Sequence, residues 1–484
     1  MATQPEETKT ENTNLDPKDA LVVTEHTITV NGQSLHYITT TGTLVMKDDA
    51  GKAKATIFFI AYTKKASAEL SKRPLTISFN GGPGSSSVWL HLGLLGPRRV
   101  LSGDVDKLQP PPYRLVDNEY TLLTETDLVF IDPVSTGYSR AVEKDKAKDF
   151  HGLEKDIESV GEFIRLYVTR YKRWHSPKFL IGESYGTTRA AGLSSYLQER
   201  HGMYLNGIML VSSILNFQTV LFTTGNDLPY ILYLPTYAAT AFYHGKLAGE
   251  DQGNLRALLT EVENFALGEY TLALMQGDKL SAETRTPIVQ KLARYTGLSP
   301  AYIEQTNLRV EIFRFTKELL RDQRRTIGRL DSRFKGIDRD AAGEQFQYDP
   351  SYSVIQGPYS ATLNDYVRNE LGFESDLPYE ILTDIHETWD YSKYQNEFVN
   401  VSEKLRTAMT QNPFLKVIVA NGYYDFATPY FATEYTFNHL GLDESLRKNI
   451  SMTYYEAGHM MYVHEPSLAQ LVKDLAGFVH NAMQ

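Results

Sequence analysis

With 484 residues, 22% of them charged, 42% hydrophobic and a formal charge of −10, the chain reads as an ordinary globule too long for a single core. The acidic balance and the absence of a Lys/Arg-rich face exclude a nucleic-acid binder, and no run of 18 apolar residues predicts a membrane span. Zero cysteines exclude disulfides, thiol catalysis and thiolate metal sites, without fixing the compartment.

Residues 1–19 are polar and acidic, with no basic start and no apolar stretch, so no signal peptide is visible and a disordered tail is expected. A trimmed precursor would read identically; it would be secreted or periplasmic, and an untrimmed chain cytoplasmic. From Val22 to about Thr63, alternating segments such as His26–Val30 and Thr56–Ile60 predict antiparallel strands. Leu75–Phe79 is a strand that runs into a glycine turn, Leu128–Ile131 is another, and an amphipathic helix extends from about Leu153 to Tyr171. Lys178–Ile181 reads as a short buried strand. Thr187–Arg200 reads as a helix, with Ala190, Ala191, Leu193 and Leu197 at helical spacing. Gly207–Val211 continues a strand–helix rhythm typical of a mostly parallel sheet flanked by helices. The rhythm lapses over about 216–400, a mainly helical stretch. There Tyr230, Tyr233, Tyr237 and Tyr243 recur at roughly helical spacing, suiting internal packing with one or two rings left to line a cleft. It resumes at Phe414–Val419 and ends with Met452–Tyr455 and a helix near 466–482. The expected organisation is a tail over 1–19, a core over 20–215, a helical cap over 216–400 and the remaining core over 401–484.

Between the strand at 178–181 and its helix lies Gly182-Glu183-Ser184-Tyr185-Gly186. A G-x-S-x-G at a strand-to-helix junction is the pattern of a nucleophile elbow, a sharp turn that lifts a serine from the sheet edge. By chance the pattern should occur only about 0.1 to 0.2 times in such a chain. Side chains at Gly182 or Gly186 would collide with the neighbouring strand or helix. A serine nucleophile needs a base and a group to orient it, in the chain order Ser, acid, His, each on a loop after a strand. Asp425 follows Val417–Ala420, and His459 follows the last strand within Glu456-Ala457-Gly458-His459-Met460. His464-Glu465 matches no zinc spacing, so no metal site is expected. For the oxyanion, one donor is the N–H of Tyr185. The other comes from the loop after an early strand, where Asn80-Gly81-Gly82-Pro83-Gly84 stands. No Lys-Ser or Lys-Thr pair makes that loop a phosphate loop.

Together, Asn80–Gly84, Asp132–Ser139, Gly182–Tyr185, Asp425 and Gly458-His459-Met460 resemble the serine carboxypeptidases, over about 75 to 465. The resemblance, to a bacterial-type member lacking cysteines, implies an α/β-hydrolase fold, no cofactor, a peptide substrate and release of C-terminal residues, often at acidic pH. It makes Ser184, Asp425 and His459 the triad and the Gly82 and Tyr185 N–H groups the oxyanion hole. It assigns the substrate's terminal carboxylate to Asn80, Gly81 and Glu183.

Glu183 helps such a carboxylate only when protonated, as a hydrogen-bond donor. In the family a second glutamate shares that proton, and Leu94 occupies its place here, with Arg98 and Arg99 nearby as candidate charges. Ser85 also replaces a common cysteine, and Gly186-Thr187 the usual pair after the tyrosine. The loss at Leu94 leaves an esterase or acyltransferase on the same triad as the alternative enzyme; a non-catalytic scaffold is the reading from another class.

Overall fold

A computed structural model describes residues 17–65, 69–105, 107–247 and 253–484. The tail expected over 1–19 lies, apart from its last three residues, outside the described residues. The main sheet has 10 strands. Nine form a continuous path: β1 Ala20–Val30, β2 Gln33–Lys47, β3 Ala53–Lys64, β4 Leu75–Phe79, β5 Asp127–Ile131, β6 Lys178–Ser184, β7 Gly207–Ser213, β8 Lys416–Gly422 and β9 Ile450–Tyr455. Their spatial order is β1-β2-β3-β5-β4-β6-β7-β8-β9, and the two-residue strand Arg140–Ala141 pairs with β3. The pairs from β1 to β5 are antiparallel, and all pairs from β5 to β9 are parallel.

Strand alternation sends consecutive residues to opposite faces, and each face has its own core. Phe58, Phe130, Ile181, Met209 and Ile418 enter one, covered by the C-terminal helix through Leu468, Leu471 and Leu475. Phe59, Ile77, Val129, Leu180, Leu210 and Val419 enter the other. There α1 (Leu153–Arg170) and α2 (Tyr185–His201) bury Ile157, Phe163, Ala190 and Leu193. Each such side chain larger than alanine contributes about 1.5–3 kcal/mol by burial. The fold is an α/β-hydrolase fold.

The helical stretch leaves and rejoins the sheet at one place: Asn216 bridges to Asn400, the Phe217 N–H donates to the Val399 carbonyl at 2.8 Å, and the Val401 N–H to Leu215 at 2.8 Å. Its first part holds α3 (Leu228–Tyr243), α4 (Leu255–Phe265), α5 (Ala282–Thr296) and α6 (Ile312–Glu318), which build a third core. That core also takes in Tyr424 and Phe426, the neighbours of Asp425. Its second part, with α7 (Pro350–Asp365), returns to the sheet and contributes Ile355, Tyr359 and Leu363 to the first core. The chain closes through α8 (Ser402–Gln411), α9 (Tyr430–Asn438) and α10 (Glu465–Asn481).

Candidate active site

β6 ends at Ser184, and α2 begins at the next residue. Ser184 has φ 60° and ψ −131°, a strained conformation for a residue with a side chain. Close approach of the backbones imposes it. A methyl group on Gly186 would lie 2.8 Å from the Phe79 carbonyl oxygen of β4, and one on Gly182 2.2 Å from the Gly186 carbonyl oxygen. The serine thus stands where the positive end of α2 begins, beside backbone N–H groups with no helical partner.

Asp425 and His459 follow the adjacent strands β8 and β9. His459 Nδ1 and Asp425 Oδ2 are 2.8 Å apart. The other Asp425 oxygen accepts the Ala427 and Thr428 N–H groups at 2.7 and 3.0 Å, and the Thr428 hydroxyl donates to Oδ2 at 2.7 Å. The backbone of His459 is clamped as well: its N–H donates to the Leu330 carbonyl at 2.6 Å, and its carbonyl accepts the Ser212 hydroxyl at 2.6 Å. Burial pulls the imidazole toward its neutral form, but the charge and hydrogen bond of Asp425 outweigh this and hold its pKa above the usual value. With Nδ1 committed to Asp425, Nε2 is left for the cavity that His459 and Ser184 both line. Among the described residues no hydrogen bond joins the Ser184 hydroxyl to the imidazole.

The glycine turn lies against the elbow. A methyl on Gly81 would stand 2.4 Å from the Tyr185 nitrogen and 2.9 Å from Ser184 Cβ, so only glycine permits this contact. Gly82 has φ +105°, in the region that favours glycine. The Asn80 amide donates to Glu183 Oε1 at 2.9 Å, while its side-chain oxygen accepts the Leu90 N–H at 3.1 Å. Burial pushes the Glu183 carboxyl up to about 7, against the opposing pull of His459, Tyr462 and Asn80. Near neutral pH it is therefore poised between donor and acceptor.

A profile of the serine carboxypeptidases matches residues 40–472. The chain belongs to the serine carboxypeptidase family. Pheromone-processing carboxypeptidase KEX1 of Saccharomyces cerevisiae is 33% identical over 145 residues, 28% of this chain and 19% of that protein. Serine carboxypeptidase-like 33 of Arabidopsis thaliana is 28% identical over 175 residues, 35% of this chain and 33% of that protein. The chain spans about a fifth to a third of the length of these curated relatives. The crystal structure of KEX1(delta)p, a prohormone-processing carboxypeptidase from Saccharomyces cerevisiae, superposes with TM-score 0.56 at 19% identity, covering 92% of this chain and 91% of that one. The fold is shared.

The eight residues expected from the sequence to form the triad, the oxyanion hole and the carboxylate site gather here. Ser184, Tyr185, Glu183, Asn80, Gly81, Gly82 and His459 line one cavity of about 920 Å³, and Asp425 stands behind His459. Leu94 is fully buried hydrocarbon. Arg98 is bound by Asp117 and Glu370, and Arg99 reaches toward Glu465, so neither joins the cavity wall. Of Tyr230, Tyr233, Tyr237 and Tyr243, Tyr233 lines the cavity, together with Tyr352, Tyr391 and Tyr394 from later in the helical stretch. Sequence reasoning passed over Thr428, Arg189 and Arg329. Among the described residues Arg329 is the one Lys or Arg on the wall, and its field opposes protonation of His459. A charged residue five positions after the nucleophile, on the otherwise apolar face of α2, was the available signal for Arg189.

Proposed function

We propose that this protein is a serine carboxypeptidase that removes C-terminal residues from peptides through an acyl-enzyme. Ser184, Asp425 and His459 act as the triad, Gly82 and Tyr185 as the oxyanion donors, and Asn80, Gly81 and Glu183 as the site for the terminal carboxylate. The observation that carries the reading is the 2.8 Å contact between His459 and Asp425 at the cavity into which the elbow turns Ser184. His459 takes the Ser184 proton as the hydroxyl oxygen attacks the last peptide carbonyl, and the oxyanion meets the N–H groups of Gly82 and Tyr185. Asp425 holds the imidazole tautomer and stabilises the imidazolium. The proton passes to the departing amino acid, and water then hydrolyses the ester. Glu183, protonated, donates to the substrate carboxylate, and the helical stretch over 216–400 serves as the cap that shapes the residue pocket. The finer assignment to a bacterial-type member is supported by the absence of cysteine.

Mass spectrometry of a peptide and its C-terminal amide, each incubated with the enzyme, tests the reading. Stepwise loss from the free acid and little loss from the amide is the expected result. Equal turnover of acid, amide and simple esters would favour the esterase or acyltransferase reading, for which Leu94 in place of a second acid is the supporting observation.

A further inference from the structure

Beside Glu183, and off the cavity wall, lies a buried hydroxyl that the proposed chemistry does not use, that of Tyr462. Glu183 and Tyr462 are each 3% exposed. Asn80 occupies Glu183 Oε1, but Glu183 Oε2 and the Tyr462 hydroxyl have no partner at normal hydrogen-bond geometry among the described residues. Leaving two buried polar atoms without partners is costly. They nevertheless stand close enough to couple: the hydroxyl lowers the carboxyl's proton affinity, and the carboxyl raises that of the phenol.

The surroundings make room for the phenol. Tyr462 lies on the single turn Met461–Val463 after His459. A methyl on Gly93 would come within 2.4 Å of the Tyr462 ring and 2.5 Å of the Tyr359 hydroxyl. The bare backbone at position 93, beside the hydrocarbon of Leu94, thus seats an aromatic hydroxyl near Glu183. Tyr462 is not on the cavity wall, whereas Glu183 and Asn80 are, so it reaches substrate only through Glu183. The other groups that bear on Glu183 come from separate elements: His459 after β9, Asp425 after β8 and Asn80 after β4.

We propose that Tyr462 is a positioning residue for Glu183, its hydroxyl donating to Oε2 so as to orient the carboxyl and fix the pH above which the substrate's terminal carboxylate is no longer bound. The proposal rests on the reading of Glu183 as a carboxylate-binding group. Both donors on Glu183 favour its ionised form, so loss of the hydroxyl makes the carboxyl harder to ionise.

The test compares kcat/KM against pH for a free-acid dipeptide and for an ester lacking a terminal carboxylate. In the parent enzyme, free-acid cleavage declines near neutral pH as Glu183 ionises. Tyr462→Phe moves that decline upward by about one pH unit, while the shape of its ester profile follows the parent. Tyr359→Phe, which removes a nearby hydroxyl not directed at Glu183, leaves the decline in place. A decline that responds to Glu183→Gln but not to Tyr462→Phe overturns the proposal and leaves the reading of Glu183 standing. Equal shifts in Tyr462→Phe and Tyr359→Phe also overturn it. A parent enzyme with no carboxylate-dependent decline overturns both. Thermal melting of each variant separates these outcomes from misfolding.

Discussion

Arg189 donates from within α2 to the backbone carbonyl of Asn80 at 2.6 Å. It is 1% exposed, its Nε is bound to Asp156 at 2.7 Å, and its guanidinium lies over the rings of Phe79 and Tyr185. One buried cation therefore ties the elbow helix to α1 and to the turn that carries Asn80, Gly81 and Gly82. Burial raises the Asp156 carboxyl and Arg189 draws it back, so each group depends on the other. Arg189→Met should lower stability by about 3–5 kcal/mol, the usual cost of stranding a buried charge. Urea denaturation measures this. A midpoint unchanged from the parent would show that Asp156 finds another way to be satisfied.

Ser184→Ala removes the oxygen proposed to attack, a hydroxyl with no hydrogen-bond partner among the described residues. Turnover of a free-acid peptide should fall by about 10⁴- to 10⁶-fold, with the thermal midpoint retained. Asp425→Asn should cost about 10⁴-fold by holding His459 in the wrong tautomer. Release of free amino acid measures both. Activity within tenfold of the parent in Ser184→Ala would remove the serine from the mechanism.

With His459 as the proposed base, the acid limb of ester cleavage should report its imidazole, which must be neutral to accept the serine proton. Asp425 raises its pKa against burial, and Arg329 lowers it. Taking away that positive charge leaves the imidazolium better tolerated, so Arg329→Gln should move the acid limb to higher pH. An ester is the right substrate because it does not involve Glu183. A limb that moves to lower pH, or stays where it was, would mean that Arg329 does not act on His459 in solution.

Much of this arrangement was legible in sequence because it rests on local chemistry. β4, β5, β6 and β7 are short apolar runs followed by turns, and the elbow and glycine turn need glycine wherever backbones touch. Boundaries were less legible. β8 was read over Phe414–Val419, but runs over Lys416–Gly422, because Asn421 and Gly422 continue to pair with Tyr454 and Tyr455 of β9. The hairpin of Arg98–Val100 with Leu115–Asp117 has strands too short to show a period. The return of α7 to the sheet was hidden because helical spacing shows that a face is buried, not what buries it. Arg189, Arg329 and Tyr462 were hidden for a related reason. Each acquires its meaning from a partner more than a hundred residues away: Asn80, His459 and Glu183.

Glu183 also links stability to pH. Its carboxyl rises from 4.5 to about 7 on folding because burial penalises the charge. The folded protein then holds a proton that the unfolded chain releases, so this residue's contribution is intact below about pH 4.5 and is lost as pH rises through about 7. The span corresponds to about 3 kcal/mol. Glu183→Gln keeps the shape without the charge, so its stability relative to the parent should improve between pH 5 and pH 8 by about that amount. Denaturant midpoints of parent and variant at the two pH values, with m-values checked for equality, measure the difference. A gap independent of pH would mean that Glu183 titrates alike in folded and unfolded protein, removing the physical basis for its use as a neutral donor.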